Sequence, residues 1–77
     1  MITAQEERII RAKAAIEAYA ELYGYGGSDD EVISDLIADL AHLTDVLVDE
    51  DDEPLDIRHI IECALRNYDY EKVENNV

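Results

Sequence analysis

Apolar residues recur at steps of three and four along three separate stretches of this 77-residue chain, and two breaks fix where the stretches end. That period gathers side chains on one face of an α-helix, whereas a strand needs alternation at every second residue. The first stretch runs through Ile9, Ala12, Ile16, Tyr19 and Tyr23. The second runs through Ile33, Leu36, Leu40, Leu43 and Leu47, widened by Val32, Ile37 and Val46. Ile57, Ile60, Ile61, Ala64, Leu65 and Tyr68 form the third. Between the first two lies Gly24-Tyr25-Gly26-Gly27, whose glycines supply the positive φ that a helix C-terminus and a turn require. Between the last two lie Asp49, Glu50, Asp51, Asp52 and Glu53. These acids repel one another and cannot pack, and Pro54 prevents helix from continuing through them.

Start signals agree with these breaks. Thr3 with Glu6 and Ser28 with Glu31 each have the spacing of a capping box, and Asp29, Asp30 and Glu31 put negative charge where the second helix dipole favours it. Asp56 suits the N-cap of the third helix. The spacing predicts helices over about residues 4–23, 29–48 and 57–73, a solvated acidic loop over 49–56, and a fraying tail. A chain of this length without Trp or Phe holds one small core, so residues 1–77 are read as a single helical domain. The expected fold class is all-α. Short connections favour an up-down-up three-helix bundle, or a helical hairpin plus a third helix in a flatter arrangement completed by dimerisation. In that topology Tyr19, Tyr23, Tyr25, Tyr68 and Tyr70 would gather near the glycine turn, with the acidic loop at the other pole.

Charge is distributed as unevenly as hydrophobicity is regular. Twenty acids stand against six basic residues, a formal net charge of −14. All six cations lie near the ends: Arg8, Arg11 and Lys13, then Arg58, Arg66 and Lys72. From Ala14 to Ile57 there are fourteen acids and no Lys or Arg. Such a field repels nucleic acids and anionic membranes and attracts basic surfaces, so direct nucleic-acid and membrane binding are excluded as expectations. No apolar run approaches the length of a membrane span, and the sequence MITAQEERII lacks the pattern of a secretory signal, which points to the cytoplasm.

The candidate binding residues follow from this pattern. Glu31, Asp35 and Asp39 are four apart, so their carboxylates stack along one helix face at roughly 6 Å intervals, a spacing that costs helix stability. Asp45 and the run Asp49, Glu50, Asp51, Asp52 and Glu53 continue the negative surface. A chain that needed only solubility could mix acids with lysines, whereas a single-sign surface suits a basic partner. One reading is a mimic of the nucleic-acid backbone that occupies a phosphate-binding groove; the other is a solvated face with no partner. Tyr25 and Tyr70 are the tyrosines expected to be exposed, and they suit a partner or dimer contact.

Other chemistry finds little support. An EF-hand loop starting at Asp49 would need Gly sixth and Glu twelfth, where Pro54 and Ile60 stand. His59 and Cys63 have the four-residue spacing of two metal ligands, and His42 could come near them as a third, but Cys63 as a small buried hydrophobe with His42 and His59 at the core margin or in solvent accounts for them better. The lone cysteine permits no internal disulfide. With no phosphate loop, nucleophile elbow or His-Glu metal motif, neither an enzyme nor a cofactor is expected.

The stretch from Asp35 to Glu71 resembles a class of small acidic helical proteins of bacteriophages and mobile elements. The match rests on Leu36-Ile37-Ala38-Asp39-Leu40-Ala41-His42, Leu55-Asp56, and Ala64-Leu65 with Tyr68. It covers about half the chain, and the loop here is longer and more acidic than in that class. The resemblance implies a phage-type origin in a bacterial host cell, and with it inhibitors of host defence or nucleic-acid enzymes, such as anti-CRISPR and anti-restriction proteins. The function expected is therefore a small acidic protein-binding module that blocks a basic groove on a nucleic-acid-handling protein or complex. The alternative is an oligomeric structural or assembly protein, a homodimer for instance, whose charge only confers solubility.

Overall fold

A computed structural model describes residues 2–24 and 27–75 of the chain. The fold is all-α, with helices α1 (Ala4–Tyr23), α2 (Asp29–Thr44) and α3 (Ile57–Asn75). Among the described residues the β-type pairing is one isolated bridge, Val48 with Pro54.

Helix ends obey local chemistry. Thr3 holds extended backbone angles and its hydroxyl oxygen accepts the Glu6 N–H at 3.1 Å, satisfying one of the orphan donors of α1. At the other end Gly24 is left-handed at φ 65, and its N–H donates to the Ala20 carbonyl. For α3, the Asp56 carboxylate accepts the Arg58 N–H at 3.0 Å, the N-cap expected from sequence. This helix continues to Asn75, two residues beyond the expected end.

Helix α2 is shorter than its apolar period suggested, ending at Thr44 rather than Val48. The Thr44 hydroxyl donates to the Ala41 carbonyl at 2.7 Å. The N–H groups of Asp45, Val46 and Leu47 reach back three residues, to His42, Leu43 and Thr44, so the α pattern gives way to a tighter turn. β-Branched Thr44, Val46 and Val48 oppose its continuation. The Leu47 carbonyl then accepts the Leu55 N–H at 3.2 Å, next to the bridge between Val48 and Pro54.

The chain divides into two compact units, Met1–Ala38 and Asp39–Val77. The first holds α1 and the opening turns of α2, the second the remainder of α2, the connecting loop and α3. Val32 is buried in the first unit and Thr44 in the second, and among the described residues these are the two with almost no exposed surface. The apolar stripes read from sequence are consequently more open than expected. Ile9, Ile33, Leu40, Leu43, Leu47, Ile60, Leu65 and Tyr68 are all exposed, while Ile16, Tyr19, Leu36, Ile57 and Ile61 are half-buried. Periodicity reports which face of a helix is apolar; coverage depends on what packs there, which no local pattern specifies. Alanines scattered around α1, at Ala14, Ala15, Ala18 and Ala20 as well as Ala12, further weaken the contrast between its faces.

Candidate functional site

Acids in α2 and the loop after it form the most concentrated chemical feature of the chain. Asp29, Asp30 and Glu31 occupy the first turn of α2, where unpaired N–H groups and the helix dipole favour anions. The Ser28 hydroxyl donates to the Asp30 carboxylate and, with help from backbone N–H groups, holds that carboxyl below its ordinary range despite a small opposing effect of burial. The Ser28 hydroxyl thus also engages Asp30, within the turn where Ser28 and Glu31 have the capping-box spacing. Glu31, Asp35 and Asp39 are exposed in an unbroken helix at the four-residue spacing that aligns them on one face. Asp45 stands exposed in the turn that follows.

The run from Asp49 to Glu53 departs from the expectation of a loop held only by solvent. One carboxylate oxygen of Asp49 accepts the N–H groups of Asp51 at 2.8 Å and Glu53 at 3.1 Å. The Asp49 N–H donates to the Glu53 carbonyl at 2.8 Å, and the Asp52 N–H to the Asp49 carbonyl at 3.1 Å. Asp52 takes a left-handed backbone at φ 61 to close the turn. The reason is that an Asp side chain can supply the acceptor that a backbone turn lacks, an arrangement legible from an Asp leading a short polar run. All five side chains remain exposed, so the repulsion falls on carboxylates that face water while the backbone beneath them is tied.

On α3, Tyr70 is exposed as expected, and Tyr68, expected inside, is exposed too, with the Lys72 ammonium 5.4 Å from its ring centre. A cation over the ring one turn away gives Tyr68 a surface role that its place on the apolar period concealed. Tyr25 lies outside the described residues, and the Tyr23 side chain likewise. His59 Nε2 lies 3.7 Å from Cys63 Sγ, and Arg66 Nη2 donates to the same sulfur at 3.6 Å. The second contact is an i to i+3 pair that sequence reasoning passed over. Among the described residues no group of three His, Cys, Asp or Glu side chains is placed to hold a metal ion, and no helix is long and apolar enough to cross a membrane.

Sequence reasoning also missed a groove within the first unit. Ile9, Ala12 and Ile16 of α1 and Ile33 of α2 form its apolar walls, and Lys13, Glu17 and Asp29 stand at its rim. Its volume is about 400 Å³ and it opens to solvent. The residues were visible as core candidates; that they line an open groove was not.

Comparison with known proteins adds no relative: no family model, no curated protein and no solved structure matches this chain.

Proposed function

We propose that this chain is a protein-binding module whose acidic surface occupies a basic, phosphate-binding groove on a nucleic-acid-handling or defence protein of a bacterial host, in the manner of phage inhibitors. The observation that carries the reading is the single-sign face of α2, on which Glu31, Asp35 and Asp39 repeat every turn in a segment of the chain with no Lys or Arg. Solubility alone is a poor reason for the arrangement, since acids mixed with lysines serve it without a single-sign surface. The tied loop strengthens the case, because five acids on a closed turn lose less conformational freedom on docking than five on a free segment. Tyr70, exposed on α3, would contribute an aromatic contact to the partner.

The test is capture from a bacterial lysate on the immobilised chain, with elution by rising salt, beside a variant carrying Asp35→Lys and Asp39→Lys. The expected outcome is a nucleic-acid-binding protein released at moderate salt, absent from the variant, and displaced from its DNA or RNA by the free wild-type chain. Capture that survives the double reversal would sink the mimic.

A second reading, an assembly module whose charge only confers solubility, is favoured by a different observation: Leu40, Leu43, Leu65 and Val73 are all at least 42% exposed. It expects association that resists salt and ignores charge reversal.

A further inference from the structure

We propose that the groove between α1 and the start of α2 is the site at which a second copy of this chain docks, groove against groove. Three observations point to that occupant. First, the surface is apolar and exposed. Ile9 and Ile33 in the groove, with Ile10 next to the first in the chain and Ile37 one turn beyond the second, are 44–56% exposed. Each leaves on the order of 50–100 Å² to cover, approaching half of the roughly 800 Å² that each partner contributes to a stable interface. The alanine-rich flanks of α1 and the aliphatic stems of its charged residues supply further area.

Second, charge selects the partner. Residues 34–56, beyond the groove, carry nine acids and no Lys or Arg, so two copies cannot meet there without strong repulsion. Helix α1 carries Glu6, Glu7, Glu17 and Glu21 against Arg8, Arg11 and Lys13, which leaves it one charge from neutral. A basic protein is drawn to α2 and the loop and would meet three cations at α1. A second copy meets at the groove a rim of Lys13, Glu17 and Asp29, only one negative charge in excess, on which Lys13 of each copy can pair with an acid of its twin across a two-fold axis. Third, Ile33 and Asp35 lie about 200° apart around α2, so a dimer formed through the groove leaves the acidic face of the same helix exposed. The dimer therefore leaves the surface of the first functional reading free, and it is one form of the self-association that the second expects.

The experiment is sedimentation equilibrium of the full chain across the micromolar range, at low and high salt, for the wild type and for Ile33→Glu with helicity checked by circular dichroism. The expected result is a wild-type dimer that tightens with salt, and a dissociation constant raised on the order of a hundredfold in the variant. Where the variant loses its helices, a mixed sample of labelled and unlabelled wild-type chains decides. Intermolecular nuclear Overhauser contacts to the methyls of Ile9, Ile16 and Ile33 support the proposal. A helical monomer throughout the range, a dimer that dissociates in high salt, or intermolecular contacts confined to α3 would overturn it.

Discussion

At the residue scale, two left-handed positions terminate segments in opposite ways. Gly24 has the φ that α1 needs to stop, and a Cβ added there meets no atom within 4 Å. Asp52 has the same conformation with a side chain present. Left-handed backbone costs an ordinary residue about 1–2 kcal/mol and glycine little, with Asp intermediate because its carboxylate can bond locally. Gly24→Ala is thus expected to destabilise the chain by about 1 kcal/mol through backbone strain alone, and Asp52→Gly to be neutral or stabilising by a few tenths of a kcal/mol. Paired urea titrations check both signs. Equal effects at the two sites would show that space, not conformation, governs them.

At the scale of the element, α2 carries a longer like-charge run than α1 or α3. The outer helices include Arg and Lys among their acids, although Glu17 and Glu21 repeat the four-residue spacing once in α1, and Lys72 additionally covers the Tyr68 ring. In α2 the i to i+4 neighbours Glu31, Asp35 and Asp39 share a sign. Asp35→Lys converts two repulsive neighbours into two attractive ones, each change worth roughly 0.2–0.5 kcal/mol in either direction, and also removes whatever else the Asp35 carboxylate engages. The expected outcome is weakened capture of the basic partner, with the sign of the midpoint shift reporting which of the two effects is larger. A lowered midpoint in differential scanning calorimetry would mean that Asp35 makes a stabilising interaction greater than the repulsion removed.

For the whole molecule, the two proposed surfaces respond oppositely to salt. Contact between carboxylates and a basic groove weakens as ions screen it, whereas groove-to-groove association of a chain with fourteen excess negative charges strengthens, because the repulsion between copies is what screening removes. Mass action adds that a chain with so few buried side chains gains stability from any partner bound only by the folded state. The thermal midpoint of the isolated chain is expected to rise both with protein concentration and with sodium chloride. A midpoint independent of concentration would remove self-association as a source of stability.

How far sequence reaches is visible in particular residues. Thr3, Gly24 and Asp56 end or start helices as read, and the acids that make α2 single-signed are where composition put them, because capping, backbone sterics and charge spacing act within about four residues along the chain. The stop at Thr44 was less legible, since leucines continued the period to Leu47 while β-branched neighbours and a threonine hydroxyl competed with the helix. The closed turn beneath Asp49 had its one signal in an Asp leading a polar run, and the repulsion among the side chains above it pointed the other way. Tertiary structure alone decided which apolar residues are covered: Val32 is buried, while Ile33 beside it lines an open groove. Burial is a property of segments distant in sequence meeting in space, and a one-dimensional period contains the face but not its partner.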